Sequence, residues 1–251
     1  MTRFGTPAAV LVSLALLASG CSSSSKGGGV GSDTAPTKAQ ATAAANAINL
    51  MKSDVAADFT STPADNSDPS SKDDKKFLTD AASCIGVDAK VLDGSADIVD
   101  LSSDDFSKGA PPNGASVSSE VEVAASKDAA QKQLAAFKND KTVDCLKASV
   151  DKTFKDEISK SASGVALTFG TLTVTKLSPS ESGTDGAFGF QIKLPVMAVG
   201  VSINVQLDIL AFLKNHTEVS LTVSSFGPAY PDADRDKLFA ALVARAGKSA
   251  V

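Results

Sequence analysis

The chain has 251 residues with 24 basic and 29 acidic side chains, one histidine, one tyrosine and no tryptophan, so it is acidic and poor in the groups most catalytic sites use. An acidic balance excludes a nucleic-acid partner, because phosphate binding needs a basic stripe. Here Lys72, Lys75, Lys76, Lys108, Lys127 and Lys132 are interleaved with Asp and Glu as on a solvated surface.

Met1 to Phe4 carries one positive charge at Arg3, and an uncharged run follows from Gly5 to Leu17. This is the profile of a signal peptide over residues 1–20. The apolar part, Ala8 to Leu17, is too short for a membrane span, which needs about 18 apolar residues or more. Leu17-Ala18-Ser19-Gly20-Cys21 resembles the bacterial lipobox, which implies cleavage between Gly20 and Cys21 and lipid attachment to Cys21. Acyl chains contribute about 0.8 kcal/mol per buried CH₂, so two or three of them hold a protein stably at a membrane. Ser22 to Pro36, rich in Ser and Gly, reads as a flexible tether, which places a lipidated linker at 21–36 and one folded domain at 37–251. Cys84 and Cys145 remain, an even pair in an exported chain, and are expected to form one disulfide.

Thr37-Lys38-Ala39-Gln40 fits a capping box, and Ala44, Ile48, Met51, Val55 and Phe59 continue one helical stripe, predicting a helix from about Ala39 to Asp58. Pro63 to Pro69 breaks the chain, and a second helix from about Lys72 carries Phe77, Ala81 and Cys84 inward. An irregular acidic region spans Asp100 to Asn113, then Val117 to Val123 alternates as a strand. Ser126 caps a helix with Ala130, Leu134 and Phe137 inside, and Leu146, Val150, Phe154 and Ile158 mark another. From Val165 the period becomes two, and strands are expected around Phe188–Val196, Val201–Ile209 and Val219–Val223. Gln191, Lys193, Asn204, Gln206, Asp208, Glu218, Ser220 and Thr222 alternate with them, which speaks against a sheet buried on both sides. Asp185-Gly186, Gly200 and Asn215-His216 supply hairpin turns, and a last helix from about Asp232 is stopped by Gly247. The fold expected is α+β, an antiparallel sheet of about five strands packed with about five helices.

No catalytic, cofactor-binding or metal-binding residue is assigned. His216 sits in a turn with no orienting carboxylate, and neither G-x-S-x-G nor S-x-x-K with its partner motifs is present. The clusters Asp65–Asp68, Asp73-Asp74 and Asp104-Asp105 lack the ligand spacing of a calcium loop, and the lack of aromatic platforms tells against carbohydrate cleavage.

Ala82-Ser83-Cys84-Ile85-Gly86, Asp104-Asp105-Phe106-Ser107 before the Val117–Val123 strand, Asp144-Cys145, and the stretch from Gly200-Val-Ser-Ile-Asn-Val to Arg245 resemble a pattern in exported actinobacterial-type lipoproteins. The arrangement is also similar to Mog1/PsbP-type folds and to extracellular sensor domains of mycobacterial kinases, without the second disulfide of the latter. The resemblance implies a membrane-anchored, extracytoplasmic, non-enzymatic module that binds or scaffolds an envelope protein or lipid. The alternative is a carrier of a lipid or other apolar ligand, seated between the helices and the Phe188, Phe190, Ile203, Val205 face.

Overall fold

A computed structural model describes residues 34–64, 66, 72–92, 96–110, 113–161, 166–198 and 200–251. Gly20, Cys21 and the tether up to residue 33 lie outside the described residues, as do the side chains of Phe77 and Phe154. The fold is α+β. Helix α1 is Lys38–Ile48, α2 Lys72–Ile85, α3 Lys127–Lys138, α4 Thr142–Ser161 and α5 Asp232–Ser249. The strands are β1 Thr60–Thr62, β2 Asp97–Ser102, β3 Asp105–Lys108, β4 Gly114–Ala124, β5 Leu167–Phe169, β6 Thr173–Leu177, β7 Gly186–Ala198, β8 Val201–Lys214 and β9 Thr217–Phe226.

Each pairing is antiparallel, in the order β1-β3-β4-β9-β8-β7-β5. Strand β2 shares the β4 edge with β3, and β6 shares the β7 edge with β5. The expected five strands become nine among the described residues because both outer edges are built of short segments, too brief to show a period of their own. Strands from either side of Lys160 thus belong to one sheet. Gly200, at φ +78°, makes the β7–β8 turn in a conformation that costs glycine little, and Asn215 at φ +56° makes the β8–β9 turn.

The sheet is covered on both faces, which corrects the expectation of a solvated polar side. Helices α2, α3 and α4 lie on one face over Phe188, Phe190, Ile192, Leu194, Leu207 and Leu213 of β7 and β8. Helices α1 and α5 lie on the other, over Val117, Val121 and Val123 of β4 and Val219, Leu221 and Val223 of β9. The apolar stripe therefore changes face between β8 and β9. Directly opposed residues of an antiparallel pair share a face, and Val219 opposes Phe212 while Glu218 opposes Leu213. Aromatic contacts seal both layers: Phe137 stacks on Phe188 at 4.8 Å between centroids, and Phe239 meets Phe212 edge-on at 5.4 Å.

Helix α1 has the expected capping box but ends at Ile48, ten residues short of the expected end at Asp58. The cause is tertiary. The Asn49 side chain donates to the Leu101 carbonyl, Ser119 Oγ donates to Asn49 Oδ1, and the Leu50 amide donates to Ser119 Oγ. The last of these bonds satisfies the Leu50 amide, which a continuing helix would have paired, and Met51 is left exposed. Phe59 still enters the core, edge-on to Tyr230. Gly247 does not stop α5, which continues to Ser249. His216 is buried rather than an exposed turn residue: its amide donates to the Val251 carbonyl and its Nδ1 lies 3.3 Å from the Ala124 carbonyl.

Candidate functional site: a buried carboxylate cluster

Where the apolar stripe leaves the α3 side of the sheet, polar residues replace it. Strand β4 presents Ser116, Ser118, Glu120 and Glu122 there, and β9 presents Ser224, Thr222, Ser220 and Glu218 opposite them in register. Strand β2 adds Asp100, paired with Glu122 across the other edge of β4. Three neighbouring strands thus bring four carboxyl groups to one face of the sheet. Oxygens of Asp100, Glu120 and Glu122 lie within 4.8 Å of one another.

Glu122 and Glu218 are each only 4% exposed. Gln133 on α3 donates from Nε2 to Glu122 Oε2 at 3.1 Å, but Glu122 Oε1 and Glu218 Oε2 are buried without a hydrogen-bond partner. Like charges directly opposed across a ladder are destabilising, and Glu122–Glu218 is such a pair. Asp100 and Glu120 are half-buried as residues, and Asp100 Oδ1 is likewise buried without a hydrogen-bond partner.

The electrostatics follow from this packing. Burial, then the charge and hydrogen bond of Asp100, then the other acids, push Glu120 well above the usual carboxylate range. Glu122 is raised for the same reasons, burial first and then Asp97, Glu120, Glu218 and Asp100. Burial and the charge of Asp97 push Glu218 up to about 8. Burial also raises Asp100, partly offset by its hydrogen bond with Glu120. Among the described residues, every charge acting on Glu120, Glu122 and Glu218 is another carboxylate, with no cation to compensate.

A pH dependence follows. Groups whose folded pKa lies above the ordinary 4.5 keep protons that the unfolded chain gives up, so their stabilisation is complete below about 4.5 and is lost as pH rises toward about 8. In the presence of a chelator the melting temperature is expected to fall between pH 5 and pH 8, and Glu218→Gln to flatten the fall. A melting temperature that rises or stays level over this interval contradicts the assignment.

Of the acidic clusters singled out in the sequence, Asp104-Asp105 does not form this site, while Asp65, Asp68 and the side chains of Asp73 and Asp74 lie outside the described residues. Asp104 is exposed and accepts a hydrogen bond from the Ser61 hydroxyl, while Asp105 is buried on β3 with its pKa raised by burial. Glu120, Glu122 and Glu218 are visible in the sequence as polar alternates of two strands, where a solvated face is expected. Period two alone places both glutamates of β4 on one side. What it does not contain is the strand β2 and the helix α3 that enclose them.

The two cysteines that sequence reasoning pairs are joined. Cys84, near the end of α2, and Cys145, in the first turns of α4, form a disulfide across 61 residues, with Cα atoms 5.6 Å apart. The apolar-ligand seat expected over Phe188 and Phe190 is closed by Phe137, Leu146 and Val150, leaving about 30 Å³. On the opposite face a groove of about 450 Å³ runs between the β6–β7 connection and α5, lined by Leu177, Pro179, Leu210, Phe239 and Val243 with Arg235 at its margin. Among the described residues no helix is long and apolar enough to cross a membrane. No family model matches the chain, and no curated protein or solved structure does.

Proposed function

We propose that this protein is a lipid-anchored, extracytoplasmic binding or scaffold module of the cell envelope, without enzymatic chemistry. The observation that carries the reading is the division of labour among the cysteines. The Cys84–Cys145 disulfide uses two of three and suits an oxidising compartment, which leaves Cys21 alone, at the end of a signal segment and ahead of a Ser/Gly tether. The tether gives the domain freedom from the bilayer, as a module that meets a partner at the membrane surface requires. Cys21→Ala is expected to move a folded protein from the membrane fraction to the soluble fraction. Unchanged membrane association refutes the anchor.

A second reading, carriage of an apolar ligand, is favoured by the groove beside α5, whose volume lies within the range of small-molecule sites. Native mass spectrometry of the Cys21→Ala chain separates the two. A stoichiometric co-purifying lipid supports the carrier, and an empty chain supports the scaffold.

A further inference from the structure

We infer that Asp100, Glu120, Glu122 and Glu218 form a binding site for a single hard divalent cation of the calcium class, held between strands β2, β4 and β9. The spacing allows it: calcium takes oxygen ligands at about 2.4 Å, and the Asp100, Glu120 and Glu122 oxygens all lie within 4.8 Å of one another, close enough to share one ion. The independent mark of a ligand is Glu218. It belongs to another strand, is nine-tenths buried or more, faces Glu122 across the ladder, and leaves Oε2 without a partner. Glu122 Oε1 is orphaned in the same way, while its other oxygen is fixed by Gln133. Buried polar atoms left unpaired are costly, and here two belong to residues directly opposed across one ladder.

The donor set decides the class of ion. All four groups are carboxylates, with no thiol or imidazole among them, which suits calcium, magnesium or manganese rather than zinc or copper. Calcium is preferred because strand-borne carboxylates, fixed in position, tolerate its loose six- to eight-fold shell better than the strict octahedron of magnesium. Ser118 and Ser220, half-buried on the same face beside Glu120, offer hydroxyl oxygens or hold water at the margin. Gln133 acts as a positioning residue for Glu122.

The test is calorimetric titration of the chelator-stripped full chain in detergent with calcium chloride, alongside thermal unfolding in calcium, in magnesium and in chelator. One ion per chain is expected, with a Kd between about 10 µM and 1 mM and a raised melting temperature. Glu122→Gln and Glu218→Gln are each expected to weaken binding about tenfold or more, because affinity follows the number of charged ligands. Both variants are expected to melt no lower than the parent in chelator, since an amide removes a like charge without changing shape, so lost binding will not be lost folding. Asp104→Asn, outside the cluster, is expected to bind as the parent does. The proposal is overturned if a folded chain shows neither heat nor a thermal shift at 10 mM calcium, about tenfold above the weakest Kd expected. It is equally overturned if both glutamine variants bind as tightly as the parent. An equal response to magnesium would overturn the choice of calcium.

Discussion

Replacing Arg235 by methionine is expected to destabilise the fold by about 3–5 kcal/mol. Arg235 stands in the first turn of α5 and reaches down to Asp208 of β8, Nη1 to Oδ2 at 2.7 Å, with the Asp208 side chain 1% exposed. Gln206 donates to the other oxygen of Asp208 at 3.0 Å. Removing the guanidinium leaves a charge sealed beneath a helix with one neutral partner, and a buried carboxylate in that position is far costlier than the pair was favourable. The contacts of Arg235 with Asp232 and Asp236 lie at the surface, where ion pairs contribute between nothing and about 1 kcal/mol. For a domain of this size the loss corresponds to a fall in melting temperature on the order of 10 °C. The double variant Asp208→Leu, Arg235→Met is expected to recover most of it, because no unpaired charge remains. Chemical denaturation of both single variants and the double variant measures the cycle. An Arg235→Met chain within about 1 kcal/mol of the parent would show that Asp208 is not sealed as described.

The second large effect is expected from the disulfide. Cys84→Ser with Cys145→Ser removes a cross-link that closes a loop of some sixty residues, for which chain entropy gives about 4 kcal/mol. Helix α2 buries Ala81, Ala82 and Ile85, and one of its two ends is fixed to α4 through this bond. Amide exchange is expected to accelerate first in α2 and least in β8 and β9, which stand at the centre of the sheet. Equal stability with and without reductant would show that the bond does not form in the chain as made.

These elements also mark what the sequence makes legible. The long strands β4, β7, β8 and β9 are readable because each carries its own alternation, and α3 because Ser126 caps it, bonding the Ala129 amide. Helix α1 is over-extended by its periodicity because the bonds that end it, at Leu101 and Ser119, come from residues some fifty and seventy positions away. Strands β2 and β3 escape a sequence reading because short pairings on the flank of β4, one of them with a shift in register, leave no clear periodic trace. The carboxylate cluster is half legible: Glu120 and Glu122 share a face by spacing alone, yet its burial depends on which face the apolar stripe leaves, and that changes at the β8–β9 boundary.

That change of face has a consequence for how β8 finds its frame. Because one core takes Leu207, Ala211 and Leu213 while the other takes Leu210 and Phe212, residues 209–213 form an unbroken apolar run. A shift by one position, which would turn an amphipathic strand inside out, here exchanges one apolar side chain for another. Hydrophobicity therefore does not proofread the alignment of β8 with its neighbours over this stretch. The alignment is left to the two tight turns at Gly200 and Asn215, and to Asp208, the one residue of β8 whose misplacement would strand a charge away from Arg235.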